Sequence, residues 1–468
     1  MKKISNKRPF FSQGKHSDGA DINAHVSIIQ AVKVGKWPTK ISLLISGFGN
    51  LFYGQTFKGL IFIITQALIW LFFSVFGWSY LSKFNTLGTQ LMDKVYDPVN
   101  DLWVNVLGDN SLKILLFSIL TIIILLFGVA LQIASVKSSY LAEIAISKGK
   151  KPTTIQEDFK NMFDKNLHTT MLSLPALGVV AFTLLPIIFM ILMAFTNFDR
   201  YHQPPGNLFT WVGFNNFASM IDLNGTKGST FFGVLGWTLT WAVFATFGNY
   251  LLGMIIALLI NKKGIKLKSL WRTCLVIVIA IPGFVTLLFM RQLLSEMGAV
   301  NTILNMLKMP SVKFLSNTDN ARLTVILVNY WIGIPYTMLI TSGILMNIPA
   351  DLYEAAQIDG AGPVKQFTAI TLPYMLTVTT PYLITQFVAN INNFNAIYFL
   401  TLGEPPVTHY YNAGMTDLLI TWLYKLTVNF GDYNLASVIG IIVFVLCGVI
   451  SLITFNITSS TKKEEALQ

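Results

Sequence analysis

The chain has 468 residues, room for about three soluble domains, but 53% hydrophobic and 12% charged residues exclude an ordinary soluble protein, which carries about twice that charge. The net charge of +11 sits in short loops between apolar runs. That pattern sets membrane topology and argues against nucleic-acid binding.

The first 40 residues are polar and basic, with Lys2, Lys3, Lys7, Arg8 and Lys15. The first apolar run begins only near Ile41, so no cleaved signal peptide is expected. His25 to Lys36 fits a short amphipathic helix on a membrane surface. Ile41 to Phe57 is apolar but rich in glycine and broken by Asn50 and Gln55. It reads as an interfacial or re-entrant segment. Inside it, Gly49 to Thr56 has the glycine spacing of a phosphate-binding loop. Gln55 stands where that loop needs its lysine, and no strand precedes it. Close helix packing is the better reading, so any ATP must be bound by another chain.

Eight stretches then reach the roughly 20 apolar residues that a span requires. They are Leu60–Trp78, Ile114–Ser135, Met171–Phe195, Trp237–Ile260, Cys274–Leu294, Leu323–Asn347, Tyr374–Leu400 and Leu435–Ile457. The expected fold is therefore all-α and polytopic. Cations crowd the amino-terminal tail, the Lys137–Lys165 and Lys262–Arg272 loops, and the end of the chain at Lys462 and Lys463. With eight spans these segments share one side, together with the loop between the sixth and seventh spans. The positive-inside rule makes that side cytoplasmic, both termini included. The opposite loops cover 79–113, 196–236, 295–322 and 401–434. Met415 to Leu426 in the last reads as a short amphipathic helix.

The spans contain no Asp or Glu, and only Arg291 near an outer end. Ion-coupled carriers need buried ionisable groups, so a proton-coupled carrier is disfavoured and a neutral solute favoured. Uncharged polar groups do occur. The sixth span carries Asn329, Tyr330, Trp331, Gly333, Pro335 and Tyr336. The seventh carries Gln386, Asn390, Asn392, Asn393 and Asn395. Single amides in a span usually bond helix to helix, but so many within a few residues suit a hydroxyl-rich ligand, with rings for apolar sugar faces. Asn390 and Asn393, three apart, would share a helix face. The histidines are scattered, the cysteines Cys274 and Cys447 lie in apolar runs, and neither metal site nor catalytic set is legible.

Between the sixth and seventh spans, Asn347 to Tyr374 reads as a helix-turn-helix. Pro349 bars continuation of the preceding helix. Asp351 is a candidate N-cap with Glu354 three residues on. Leu352, Ala355 and Ala356 share a face. Gly360 and Gly362 suit a helix end and turn. Pro363 opens a second helix, with Val364, Phe367 and Ile370 on one face, and Pro373 closes it. An ordinary loop remains the competing reading on spacing alone.

Glu354-Ala355-Ala356, Asp359-Gly360-Ala361, Phe367, Ile370, Leu372 and Pro373 resemble the EAA loop of ABC-importer permeases. Val328–Tyr336 and Asn390–Phe394 resemble spans of the larger permease of the maltose/maltodextrin type, as do Phe195–Phe198, Trp211–Phe217 and Thr416–Leu419. The likeness runs from about Met171 to the end of the chain. It implies a type I ABC importer permease fold with a six-helix core over 171–460 and a coupling loop at 349–373. Residues 1–59 would be a cytoplasmic tail plus the interfacial segment, 60–170 two additional helices and a cytoplasmic loop, and 461–468 a tail.

Carried over residue by residue, the resemblance puts Asn329, Gly333, Tyr336, Asn390 and Asn393 on the substrate pathway. It puts Glu354, Ala355, Ala356, Asp359, Gly360, Phe367 and Pro373 in the loop that docks on an ATPase. Ala389 departs, because that family has an aromatic ring there, which leaves the sugar open. The implied function is import of an oligosaccharide, maltose or maltodextrin, driven by ATP and dependent on a binding protein. Galacto- or raffinose-type sugars are the alternative, and an ATP-independent secondary carrier the alternative from another class. No cofactor is expected in this chain, since ATP and Mg would be bound by the partner. Implied partners are a second permease, two ATPase subunits and an extracellular sugar-binding lipoprotein. The loop at 79–113 is too short for the large external domain of enterobacterial relatives, which fits the cell membrane of a single-membrane, Gram-positive organism.

Overall fold

A computed structural model describes residues 27–98, 101–165, 167–262 and 264–457. The expected tail at 461–468 and most of the amino-terminal tail lie outside them. Among the described residues, seven helices are long and apolar enough to cross a membrane: Thr56–Leu81, Ser111–Ser147, Leu167–Met193, Thr226–Asn261, Thr318–Leu345, Pro363–Ile391 and Tyr433–Asn456. The expected fifth span is two helices, Lys268–Ala280 and Gly283–Leu293, bent by 93°. The reason is legible at the break, where Pro282 lacks the N–H that would continue the first helix and caps the second instead. By contacts the chain divides into a unit of residues 1–88 and 110–189 and a second of 89–109 and 190–468.

In the first unit the Ser111–Ser147 helix has 37 residues, about 55 Å at 1.5 Å per residue. That far exceeds a hydrocarbon core of about 30 Å, and the expected end at Ser135 came too early. Gln132 and Ser135 at the end of the expected span and Ser139 and Glu143 in the extra turns share one face by their helical spacing. The residue 36–55 segment is bonded to that face. Glu143 is only 8% exposed. Both its oxygens accept from the Lys36 backbone N–H at 3.0 Å, and one accepts from Thr39 Oγ1 at 2.7 Å and Tyr53 Oη at 3.2 Å. Lys36 precedes the helix Trp37–Ile41 and has no side-chain cap of its own, so the carboxylate satisfies an otherwise orphaned helix start.

Ser135 Oγ accepts from the Gly47 N–H at 2.6 Å, and Asn50 Nδ2 donates to Ser138 Oγ at 2.8 Å. A Cβ on Gly49 would stand 1.8 Å from Ser139 Oγ, so glycine is required for this approach. Residues 41–57 form short turns around the five-residue helix Phe48–Phe52, far too short to span. The expected close packing of the glycine-rich stretch is what occurs.

In the second unit the Thr226–Asn261 and Thr318–Leu345 helices lie against one another. A Cβ at Gly253 would come within 2.1 Å of Thr337 Oγ1, and one at Gly248 within 2.0 Å of Tyr330 Oη. Small residues let the helices approach this closely, as membrane helix pairs do. The loop between Leu400 and Tyr433 folds into a tight corner whose buried Asp417 accepts from Lys425 Nζ at 2.6 Å, the Gly414 N–H at 2.7 Å and Thr421 Oγ1 at 2.9 Å. Burial pushes the Asp417 carboxyl up from its usual range, and the Lys425 ammonium opposes that. Arg322 lies over the Trp237 ring at 4.6 Å and donates to the Met415 carbonyl at 2.9 Å. The expected helix at 415–426 lies further on, as Leu419–Tyr424 continued by a π-turn over Lys425–Phe430. A hairpin of Asp93–Asp97 and Leu102–Val106 was not anticipated in the 79–113 loop.

Glu143→Ala leaves the Lys36 N–H and Thr39 hydroxyl without their acceptor, at about 1–3 kcal/mol for each buried group. Thermal unfolding of the detergent-purified protein is expected at lower temperature, with Glu143→Gln intermediate. An unchanged melting curve for Glu143→Ala would contradict this role.

Candidate functional site

Two places in the second unit collect the residues singled out from the sequence. The first is the turn after the sixth span. Its opening helix is Ala350–Ile358, and its N-cap is Pro349 rather than Asp351, which sits in the first turn. Gly360 has φ +76°, a conformation that favours glycine. Gly360 N–H donates to the Gln357 carbonyl at 3.0 Å, and Ala361 N–H to that of Ala356 at 2.8 Å.

Gly362 then caps a helix that Pro363 opens. That helix does not close at Pro373. A wider π-turn over Phe367–Thr371 precedes the proline, and the helix runs on unbroken to Ile391. Proline is tolerated where the wider turn has already displaced the regular hydrogen-bond ladder. Glu354, Ala355, Asp359, Gly360 and Pro373 are exposed, and Ala356 is half-buried. Ile358 is 87% and Val364 77% exposed. Phe367 instead packs against the buried cluster of Tyr250, Met254, Met375 and Leu383, so it anchors the turn from beneath. Tyr353 Oη and Thr371 Oγ1 are 2.8 Å apart and tie the two helices together.

The second place is a cavity of about 180 Å³ lined by three helices. Asn329, Gly333, Tyr336 and Thr337 come from the sixth span. Tyr382, Leu383, Gln386 and Asn390 come from the seventh, with Asn393 just beyond its end. Ala245, Thr246 and Asn249 come from the fourth. All five residues expected on a pathway therefore meet in one cavity. None of its lining side chains is a carboxylate, an ammonium or a guanidinium.

The geometry also corrects the spacing argument. The seventh helix ends at Ile391, and Asn393 caps the next helix, Phe394–Leu400, by accepting from the Ala396 N–H at 3.2 Å. Asn390 and Asn393 thus meet across a helix break, where Asn393 Nδ2 donates to Asn390 Oδ1 at 3.3 Å. Asn390 Nδ2 donates to Thr246 Oγ1 at 2.9 Å, so this amide also joins the seventh helix to the fourth. Asn392 turns away and donates to Cys447 Sγ at 3.5 Å. Tyr330, Trp331, Pro335 and Asn395 do not line the cavity, and Trp331 is 57% exposed.

Sequence reasoning missed Thr246 and Asn249 because each stands singly among apolar neighbours in the fourth span. A scan of that span for lone polar groups would have found them. A π-turn over Phe244–Gly248 lies just before Asn249. Such turns recur at functional sites.

Residues 249–462 match the family model described as the inner membrane component of binding-protein-dependent transport systems. The galactooligosaccharides transport system permease protein of Bacillus subtilis (strain 168) is 35% identical over 91% of this chain and 99% of its own length. The maltodextrin transport system permease protein of the same organism is 32% identical over 91% and 96%. Among solved structures, a bacterial ABC transporter involved in the import of the acidic polysaccharide alginate superposes with a TM-score of 0.51 at 24% identity. That match covers 64% of this chain and 97% of the other and supports the importer permease fold. With apolar spans, a charge-free cavity, an exposed helical turn and full-length relatives in hand, the chain belongs to the membrane permease subunits of ABC sugar importers.

Proposed function

We propose that the cavity is the path of a short neutral oligosaccharide. The observation that carries this reading is the convergence of Asn329, Tyr336, Gln386, Asn390 and Asn393 on a cavity without a formal charge. Amides both donate to and accept from hydroxyls, and tyrosine rings cover apolar sugar faces. A cavity of about 180 Å³ is smaller than the roughly 300–1,000 Å³ of sites for drug-sized ligands. It suits one part of an oligosaccharide, with further wall supplied by a second permease subunit. Maltodextrin follows from the sequence resemblance. The likeness to a galactooligosaccharide permease over 99% of that protein's length favours galactose-based chains as the second reading. Competition of maltotriose and galactotriose for uptake separates the two.

The 350–373 turn is, in this reading, the knob that enters a groove on a partner ATPase, which holds ATP and Mg. Exposed Ile358 and Val364 beside Glu354 give it the apolar and acidic surface of a helix-in-groove contact. Two ATPase copies, a second permease and an extracellular binding lipoprotein complete the assembly. In this reading the termini and the turn face the cytoplasm, which the loop charges support, and the short 79–113 loop suits a single-membrane cell.

The seventh helix links the two sites. From Pro363 at the turn to Tyr382 at the cavity is about 28 Å of unbroken helix at 1.5 Å per residue. Closure of the ATPases would move that helix and thereby the Gln386 and Asn390 wall, which is alternating access by rigid-body motion. Because ATP is consumed elsewhere, transport should stop on ATP depletion at constant membrane potential. A secondary carrier would continue.

Asn390→Leu removes both of this amide's side-chain bonds. At about 1–3 kcal/mol per unsatisfied partner, uptake of labelled oligosaccharide into proteoliposomes should fall tenfold or more while the ATPase subunits still co-purify. Unchanged uptake kinetics would take Asn390 out of the path. Glu354→Lys inverts the charge at that position of the knob, and Gly360→Pro cannot adopt φ +76°. Both should leave the protein in the membrane but abolish sugar-dependent ATP hydrolysis. Normal coupling in both variants would refute the docking role.

A further inference from the structure

We propose that Asn249 is a specificity-determining residue of the cavity, its side-chain oxygen accepting a hydrogen bond from a hydroxyl of the cargo. This rests on the reading of the cavity as the cargo's path. Asn249 is 8% exposed. Its Nδ2 donates to the Ala245 carbonyl at 2.8 Å, while its Oδ1 is buried without a partner. Asn329 Nδ2, on the wall of the same cavity, is also buried without one. Native proteins leave few buried polar atoms unpaired, because the lost solvation is not repaid. Here an acceptor and a donor lie unpaired at one cavity, on different helices. A hydroxyl is both donor and acceptor, so a sugar can satisfy the pair where a protein side chain does not.

Gly333 has a specific part in this arrangement. A Cβ there would lie 2.5 to 2.7 Å from Nδ2, Cγ and Oδ1 of Asn249. The amide therefore occupies the space that any other residue at 333 would fill. Thr337 Oγ1 donates to the Asn249 main-chain carbonyl at 2.8 Å, holding the fourth helix in register with the sixth at this level. Gly333 is thus a positioning residue that acts through Asn249. A site built around a hydroxyl discriminates strongly against an analogue that lacks it, since its polar groups are then left bare.

The test uses the assembled importer in proteoliposomes with internal ATP, and labelled maltotriose and galactotriose as probes. Asn249→Ala is expected to raise KM for the transported probe about tenfold with kcat within twofold. Gly333→Ala should reproduce that change. The double variant should be no worse than Asn249→Ala alone, because the side chain that a Cβ at 333 displaces is already gone. Asn249→Ser, smaller and still polar, guards against an assembly defect and should show a partial rise, with complex yield measured alongside. Wild-type kinetics for Asn249→Ala, or full additivity of the two substitutions, would overturn the proposal. If Asn390→Leu and Asn329→Leu were silent as well, the cavity reading itself would fail. Loss in those two with a silent Asn249→Ala overturns the Asn249 assignment alone.

Discussion

Inside a hydrocarbon layer there is no water to satisfy a polar group, so each must find its partner within the protein. Polar groups buried in protein outside the spans face the same demand. Glu143 gathers a backbone N–H and two hydroxyls around its carboxylate. Asp417 does the same with an ammonium, a backbone N–H and a hydroxyl. The cavity departs from it, with Asn249 Oδ1 and Asn329 Nδ2 buried and bare. Asn50, Ser118 and Arg272 also hold a bare buried atom, but each stands outside the cavity; among the described residues, only at the cavity do an unpaired acceptor and an unpaired donor line one space that a ligand hydroxyl could fill.

The second organising element is mechanical. The Pro363–Ile391 helix begins in an exposed turn and ends at the amide cluster. Phe367 and the Tyr353–Thr371 contact seat its lower end on the core, so a displacement at the turn is carried to the cavity wall without an intervening hinge loop. One continuous element thus joins the exposed turn to the amide cluster.

The spans were legible because long apolar runs have few other meanings, and the exposed turn was legible from its glycine and proline spacing. The five residues expected on a pathway were picked out by the family resemblance, within two spans already conspicuous for their polar side chains, and all five line the cavity. Asn249 was not picked out, since the amides it joins in the cavity come from other helices distant in the chain and a lone amide in an apolar helix carries no periodic signal. The polar face of Gln132, Ser135, Ser139 and Glu143 was hidden for a related reason. It belongs to a helix that continues past its apolar run, and only the packed 36–55 segment gives that face a purpose. The break at Pro282 and the passage of the helix through Pro373 show opposite outcomes for the same residue type. At Pro373 a wider turn has already released the hydrogen bond that proline cannot make, whereas at Pro282 the first helix has ended and the proline caps the second.

The most direct measurement is covalent labelling of the assembled importer during ATP-driven uptake with a photoreactive neutral trisaccharide, followed by peptide mapping. Labelling concentrated in the segments around Asn329–Thr337 and Tyr382–Asn393 is expected. Robust labelling of this chain elsewhere, with none in those segments, would contradict passage of the sugar through the cavity.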